Sequence, residues 1–229
     1  MEKGKLFVVA TPIGNLEDIT FRAINTLKNV DFIICEDTRV TNILLNKYEI
    51  KKELVFVNAR NENRMLQSIL SRLKEGHSAA LVSDAGTPCI SDPGTRLINC
   101  AIKQKIEIVG IPGANAATLA LSISGLPVDS FIFEGFIPQK KGRQKELKKF
   151  VEEERCIVFY ESVYRIKKLL EELNEYMPER LIIIFRELTK KFEESWRGTV
   201  EQLLNTLDKK IIKGEFVVII APQNWKENF

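Results

Sequence analysis

Short apolar runs alternate with amphipathic helical patterns along the first half of the sequence, and this alternation restricts the fold more than any other feature. Each run has the length of a buried strand, and each precedes apolar residues at helical spacing. The runs are Leu6–Ala10, Phe32–Cys35, Leu54–Val57, Ala79–Val82 and Ile106–Gly110. Strands that alternate with helices predict a parallel sheet with helices on both faces. The predicted fold class is therefore α/β.

A turn rich in Gly, Pro, Asn, Asp or Thr follows each of these runs. The carboxyl ends of parallel strands meet at one edge of a sheet, so we expect several turns to converge there and form a ligand site. In the turn after Ala79–Val82, Asp84 would place a carboxylate at this edge. Gly86 would let the backbone approach a ligand, and Pro88 would stiffen the loop. The alternative is an ordinary strand-to-helix connection.

The second half of the chain is also predicted to be α/β, with room for antiparallel pairing. Leu126–Asp129 has the composition of a joint, so the predicted domains are residues 1–126 and 127–229. Strands are predicted at Phe131–Gly135, Cys156–Tyr160, Leu181–Phe185 and Phe216–Ala221, and a helix at Val200–Leu207. The sheet of the second domain is therefore expected to be mixed.

Composition excludes several classes of protein. No apolar stretch approaches the roughly 18 residues that span a bilayer, and no signal peptide is evident, which favours a cytoplasmic protein. A single histidine makes a Ser-His-Asp triad or a multi-histidine metal site hard to build. The four cysteines lack C-x-x-C spacing and are predicted to be buried free thiols. The dinucleotide fingerprint G-x-G-x-x-G and the P-loop are both absent.

A basic stretch runs from Lys140 to Lys149 and contains six Lys or Arg residues against one acid, Glu146. Such a stretch can contact phosphates. Its spacing alone favours a second interpretation, a solvated helix face, because Glu152, Glu153 and Glu154 follow closely.

Seven short motifs then occur in an order that resembles one family. They are Thr11–Leu16, Glu36–Arg39, Val82–Pro88 with Asp92–Gly94, Pro112-Gly113, Phe133–Phe136, Phe159–Ser162 and Arg186–Lys190. Together they resemble the bacterial 16S ribosomal RNA (cytidine-2′-O)-methyltransferases of the tetrapyrrole methylase superfamily. The resemblance covers nearly the whole chain.

The resemblance implies an S-adenosylmethionine enzyme with two α/β domains, the cofactor in the cleft between them, and a homodimer. The sulfonium methyl group is already activated, so no metal is implied. The positions that match the family's cofactor loops are Pro12, Gly14, Asp84, Ala85, Gly86, Thr87, Pro88, Pro112, Asn115, Ala116, Tyr160, Glu161 and Leu188.

The resemblance also suggests which residues act on the ribose 2′-hydroxyl. Asp37 is the first candidate for the general base, because relatives place a functional aspartate at the matching position. Arg39 would hold a phosphate or orient Asp37, and Glu62 is a second candidate base. The alternative for Glu36–Arg39 is a helix-capping turn with a local ion pair.

In this family the substrate is the assembled small ribosomal subunit, so phosphate contact becomes the favoured role of the basic stretch. The predicted RNA-binding residues are Lys140, Lys141, Arg143 and Lys145. Many relatives carry a further helical segment after the strand that matches Phe216–Ala221, and this sequence is expected to lack it. Two other functions stay open: methylation of a tetrapyrrole or small metabolite, and non-catalytic RNA binding.

Overall fold

The computed structural model describes residues 3–58, 61–210 and 212–225. The chain divides into two compact units, Met1–Asn115 and Ala116–Phe229, and each is described by itself. The predicted domain boundary after Leu126 stays a prediction. The turn predicted after Leu54–Val57 includes Ala59 and Arg60, which lie outside the described residues.

The first unit contains a five-stranded sheet in the order β3-β2-β4-β1-β5, and every pair is parallel. The predicted parallel sheet is thereby confirmed. Its elements are β1 (Lys5–Val9), α1 (Phe21–Asn29), β2 (Phe32–Cys35), α2 (Thr38–Lys47), β3 (Glu53–Phe56), α3 (Glu62–Lys74), β4 (Ala79–Leu81), α4 (Thr95–Lys103) and β5 (Glu107–Ile111).

Helices cover both faces of this sheet, because successive residues of a strand point to opposite faces. In β2, Phe32 and Ile34 join a core with α3 and α4, whereas Ile33 and Cys35 join a core with α1 and α2. A strand buried on both faces needs apolar residues at every position, which explains the uninterrupted runs in the sequence.

The second unit contains a mixed five-stranded sheet in the order β6-β7-β10-β8-β9. Only β6 and β7 are parallel, and the other pairs are antiparallel, as the mixed-sheet prediction required. Its elements are α5 (Ala116–Ser122), β6 (Phe131–Phe136), α6 (Arg143–Lys149), β7 (Cys156–Ser162), α7 (Ile166–Tyr176), β8 (Leu181–Arg186), β9 (Glu194–Thr199), α8 (Val200–Thr206) and β10 (Glu215–Ile220).

The main core of the second unit lies on one face of its sheet. Phe159 and Ile157 of β7 pack there with Leu169 and Leu173 of α7 and with Trp196 of β9. The strand β9 was not predicted, since it is a polar edge strand in which Trp196 is the only buried residue.

The cysteines and helices bear on two expectations from composition. All four cysteines are free; Cys35 and Cys156 are buried, whereas Cys89 and Cys100 are partly exposed. Among the described residues, no helix has the length and apolarity needed to cross a membrane. Within the same residues, no three or more His, Cys, Asp or Glu side chains are grouped to hold a metal ion.

Candidate active site

The loops after β1, β4 and β5 are joined by hydrogen bonds at the carboxyl edge of the parallel sheet. The Thr11 amide donates to the Gly86 carbonyl at 2.9 Å, and the Gly86 amide donates back to the Thr11 carbonyl at 3.1 Å. The buried Thr11 hydroxyl donates to the Ser83 carbonyl at 3.0 Å. The Thr87 hydroxyl donates to the Ala114 carbonyl at 3.1 Å. Three loops that are far apart in sequence therefore form one connected rim.

Most of the predicted cofactor residues lie on these three loops. They are Pro12, Gly14, Asp84, Ala85, Gly86, Thr87, Pro88, Pro112 and Asn115. The others belong to the second unit: Ala116 begins α5, Tyr160 and Glu161 lie on β7, and Leu188 follows β8. The cofactor role of both groups stays a prediction.

Two glycines allow the rim loops to pack closely. Gly86 has φ +83°, and a Cβ atom there would lie 3.2 Å from Cγ2 of Ile13 and 3.5 Å from the Ala114 carbonyl oxygen. A Cβ atom at Gly113 would lie 2.9 Å from the Cβ of Ala10. A side chain at Gly113 would force Ala10 to shift, and one at Gly86 would be strained by the positive φ and tight against Ile13.

Two pockets open beside the rim, and Asp84 lines both. The larger, of about 540 Å³, is lined by Glu36, Asp37, Thr38, Arg39, Phe56, Asn58 and Asp84. The smaller, of about 90 Å³, is more apolar and is lined by Thr11, Pro12, Leu16, Val40, Thr41, Ile43, Leu44, Val82, Ser83 and Asp84. The loop after β2 thus lies beside the loop after β4, as their neighbouring strands require.

Asp37 and Arg39 form a close ion pair at the start of α2. The Asp37 carboxylate caps the helix by accepting the Arg39 backbone amide at 2.8 Å. It also accepts Nε of Arg39 at 3.0 Å and Nη2 at 2.6 Å. These hydrogen bonds with Arg39 lower the pKa of Asp37 to about 2. The capping arrangement is present in the structure, while a catalytic role for Asp37, Arg39 or both stays a prediction.

Asp84 connects the second and fourth strand ends. Its Oδ1 accepts the Asp37 backbone amide at 3.1 Å, a contact between residues 47 positions apart. Burial, followed by the negative charge of Asp37, raises the pKa of Asp84 above its ordinary value. This carboxylate therefore supports the position of Asp37 and adds negative charge to the larger pocket.

Sequence reasoning missed two acids of the same cluster, Glu36 and Asp92. Burial and the charges of Asp84 and Asp37 raise the pKa of Glu36. Burial and the charges of Glu36 and Asp84 raise the pKa of Asp92 to about 6. Both residues stand in motifs used for the resemblance, and the parallel topology would have placed Glu36 beside Asp84. Nothing in the sequence indicated that Asp92 turns back toward them.

Glu62 stands near this cluster, since its amide donates to the Asn58 carbonyl at 2.9 Å and Asn58 lines the larger pocket. It is the first residue of α3 and does not line the larger pocket. Its Oε1 is buried without a hydrogen-bond partner among the described residues. Within the described chain, Asp37 lines the larger pocket and Glu62 does not.

In the second unit, Arg143 is only 2% exposed and belongs to a buried ion network. Its Nε lies 2.7 Å from Glu172, and its Nη1 lies 3.4 Å from Glu161. Glu161 also pairs with Arg165 at 2.6 Å. Nη1 of Arg143 donates to the Pro138 carbonyl at 3.4 Å, which holds the loop before α6. A buried and paired guanidinium is not available to a phosphate, so Arg143 is corrected from an RNA contact to a residue that braces this loop.

The other predicted RNA-binding residues have a different environment. Lys140, Lys141 and Lys145 are exposed around the loop that Arg143 holds. Of the four predicted RNA-binding residues, the three lysines therefore stay candidates for phosphate contact.

Two predicted cofactor residues of the second unit are buried. Glu161 is fully engaged in the buried ion network, and Leu188 lies between Glu187 and Thr189, which both have positive φ.

An all-parallel unit with linked strand-end loops, together with a mixed-sheet unit, is the arrangement of the tetrapyrrole methylase fold. Solved structures share this fold. A cobalt-precorrin-4 methyltransferase has a TM-score of 0.72 at 18% identity, covering 95% of this chain and 94% of its own. A uroporphyrin-III C-methyltransferase from Thermus thermophilus, complexed with S-adenyl homocysteine, has a TM-score of 0.66 at 16% identity, covering 94% and 97%.

The chain belongs to the tetrapyrrole (corrin/porphyrin) methylase family, whose model matches residues 5–204. Two relatives bear the name ribosomal RNA small subunit methyltransferase I. The one from Thermotoga maritima is 47% identical over 95% of this chain and 98% of its own length. The one from Bacillus subtilis is 44% identical over 99% of this chain and 78% of its own. The resemblance predicted from the motifs is confirmed.

Proposed function

We propose that this chain transfers the methyl group of S-adenosylmethionine to the ribose 2′-hydroxyl of a cytidine in the 16S RNA of the small ribosomal subunit. The observation that carries the proposal is the 47% identity, over 95% of the chain, to a relative named for methylation of small-subunit ribosomal RNA. Methylation of a tetrapyrrole or small metabolite is less well supported. The structures named for tetrapyrrole substrates are only 18% and 16% identical.

The rim residues fit S-adenosylmethionine in two respects. Gly86 and Gly113 leave backbone rather than side chains at the strand ends, which suits a ligand pressed against the loops. Burial first, and then the charges of neighbouring acids, raise the pKa values of Asp84, Glu36 and Asp92, so negative charge is costly at this edge of the sheet. A positively charged sulfonium would offset that charge.

When bound, S-adenosylmethionine supplies an activated methyl group, so the chain must position the hydroxyl and remove its proton. Asp37 is our candidate to accept that proton. Its contacts with Arg39 keep it ionised, at the expense of its strength as a base. Arg39 acts as a positioning residue that fixes the carboxylate. Asp84 fixes the same loop through the Asp37 amide.

Recognition of RNA is assigned to the exposed lysines near α6. Lys140 and Lys141 present charge on the loop before α6, which the buried Arg143 holds through Pro138, and Lys145 presents charge on α6 itself. Phosphate contacts of this kind position a protein on RNA without reading the sequence.

We further propose that the chain forms a homodimer and acts in the cytoplasm, where small subunits are present. Sedimentation of the purified chain tests the dimer.

The proposal is tested with small subunits from a strain that lacks the gene. Purified protein and methyl-labelled S-adenosylmethionine should label these subunits, and subunits from the parent strain serve as the control that is already methylated. Mass spectrometry should find one ribose methyl group at a cytidine, and alkali should leave the adjacent phosphodiester bond intact. Label in a base, or no label in the RNA, contradicts the proposal.

The lysines are tested through the salt dependence of binding. Replacing Lys140, Lys141 and Lys145 by Gln should weaken subunit binding and lower the slope of log affinity against log salt by about two. With fewer phosphate contacts, fewer counterions are released from the RNA on binding. Gln at Lys28, Lys47 and Lys103 removes the same charge from helix ends of the first unit. Equal effects in the two triple variants would argue for general charge rather than this loop.

A further inference from the structure

An irregularity in the pairing of β6 with β7 changes the direction of one aromatic side chain. Phe133 pairs with Val158, but the next pair joins Phe136 to Tyr160. Three steps along β6 therefore match two steps along β7, as in a β-bulge. Gly135 lies inside the bulge with φ +59°, a conformation that glycine adopts without strain.

The bulge brings two phenylalanines onto the same face of the sheet. Residues three apart on a regular strand point to opposite faces, and the extra residue cancels this alternation. The rings of Phe133 and Phe136 both meet Tyr160 edge-on, with centroids 5.2 Å and 5.5 Å from the Tyr160 ring. These contacts fix the orientation of the Phe136 ring from one side.

The rest of the Phe136 ring is open to solvent. Phe136 is 56% exposed, although Ile137 directly after it is buried. An aromatic ring that is fixed by its neighbours yet exposed gains little from burial in the fold itself. Such a ring is suited to stack on a flat, apolar partner.

Positive charge lies within a short reach of this ring. Lys140 follows Phe136 by four residues, so their Cα atoms are at most about 14 Å apart. Lys140 and Lys141 are exposed, and the loop that carries them is held by the bond from Arg143 to the Pro138 carbonyl. A fixed aromatic ring beside lysines is the combination that binds single-stranded nucleic acid, in which bases stack and phosphates meet cations.

We propose that Phe136 stacks on an unpaired base of the ribosomal RNA substrate while Lys140 and Lys141 contact the adjacent phosphates. This inference rests on the proposed function and adds to it a contact that selects unpaired RNA. The Phe136 ring is the binding surface, and Tyr160 with Phe133 positions it.

Steady-state methylation of small subunits from the gene-deletion strain tests this contact. Phe136→Ala should raise KM for the subunit roughly ten- to a hundredfold, because stacking on one aromatic side chain is lost. The turnover number and the affinity for S-adenosylmethionine should stay close to the wild type. Phe136→Tyr should retain most of the activity because it keeps the ring. Phe192→Ala is the matched control, since Phe192 is 64% exposed elsewhere in the second unit and should leave KM unchanged.

Phe136→Trp provides a direct signal of stacking. Its fluorescence should be quenched by a single-stranded RNA oligonucleotide and much less by the same oligonucleotide in a duplex. Equal quenching by both, or an unchanged KM for Phe136→Ala in an active enzyme, overturns the inference alone. A Phe136→Ala variant with an altered oligomeric mass would assign the ring to a protein contact and also overturn it. A wild-type chain that methylates no ribosomal RNA overturns the proposed function together with this inference.

Discussion

Carboxylates and arginines meet in both units, but with opposite electrostatic results. In the second unit, Glu161 and Glu172 are buried beside Arg143, and Arg165 completes the network at Glu161. Each carboxylate has a guanidinium within hydrogen-bond reach, and the charges lie inside the unit. Such an arrangement fixes local structure, and the loop that begins at Pro138 is held by it.

At the described rim of the first unit, Glu36, Asp37, Asp84 and Asp92 lie near one another, and Arg39 acts on Asp37 and Asp84. Arg39 pairs with Asp37 and lowers its pKa, whereas the pKa values of Glu36, Asp84 and Asp92 are raised. Part of this cluster lines an open pocket. Like charges held together near solvent cost free energy in the free protein, and a cationic ligand would relieve that cost.

This comparison shows that two properties distinguish a structural charge cluster from a candidate site: whether its acids are balanced by cations, and whether the cluster is exposed to solvent. The same residue types serve both purposes, so the presence of arginines and acids alone does not distinguish them. Variants at the two clusters should therefore behave differently: changes at the rim should alter activity without the large loss of stability that changes in the network should cause.

The largest effect is expected for Asp37→Asn. Asn retains an oxygen that accepts the Arg39 amide, so the cap of α2 should persist while the proton acceptor is lost. Methylation should fall about 10²- to 10⁴-fold, as for loss of a general base. Single-turnover rates measure this, and calorimetry should find unchanged affinity for S-adenosylmethionine.

Arg39→Gln sharpens the same test. Without Arg39, the pKa of Asp37 should rise from about 2, so the acid limb of the pH–rate profile should move to higher pH. Wild-type turnover in Asp37→Asn would remove Asp37 as the base and leave it the role of a helix cap.

Arg143→Met should have the next largest effect, and on stability. The substitution leaves Glu172 buried without its closest partner and removes one partner of Glu161, which should cost about 3–5 kcal/mol. Both tryptophans, Trp196 and Trp225, lie in the second unit, so their fluorescence during urea unfolding reports on it. Lys145→Met, at an exposed position of the same helix, is the control. Equal stability of the two variants would mean that the network is not buried in solution.

Much of the fold could be predicted because apolar periodicity is a local property. The runs of β2 and β4 mark strands buried on both faces, and the order of strands and helices set the parallel sheet. The edge strand β9 was missed because tertiary pairing, rather than its polar sequence, makes it a strand.

The site was predictable only where chain topology fixes position. Asp37 and Asp84 follow neighbouring parallel strands, so their proximity could be expected. The burial of Arg143 could not, because its partners come from β7 and α7, 18 and 29 residues later. A charge run in the sequence does not reveal which of its members turns inward, and Asp92 was missed for the same reason.

Gly86→Val should weaken binding of S-adenosylmethionine roughly tenfold or more, because a branched side chain is strained at positive φ and would press on Ile13 and the Ala114 carbonyl. Calorimetry measures the affinity. Gly110→Ala is the matched control, since a Cβ atom there meets nothing within 4 Å. Unchanged affinity in Gly86→Val would mean that the rim loops do not bind the cofactor and serve only as a structural connection.

The smallest effect is expected for Asp92→Asn, and its size depends on pH. The pKa of Asp92 is raised from 3.8 to about 6 in the folded chain, so between these values the folded state binds more protons than the unfolded state. Stability should therefore fall as pH rises through this window and stay lower above it. Asn does not ionise, so the Asp92→Asn variant avoids this loss of stability. It should stabilise the first unit by about 1 kcal/mol near pH 7, after allowance for solvent screening, and should have little effect near pH 4.

Hydrogen exchange at the buried amides of β2 measures this difference, and Asp18→Asn, at an exposed position of the same unit, is the control. Bound S-adenosylmethionine should shrink the gain from Asp92→Asn, because a nearby sulfonium favours the ionised carboxylate. A gain that is independent of both pH and cofactor would mean that the rim acids are balanced like those of the second unit. The contrast between the two clusters would then be lost.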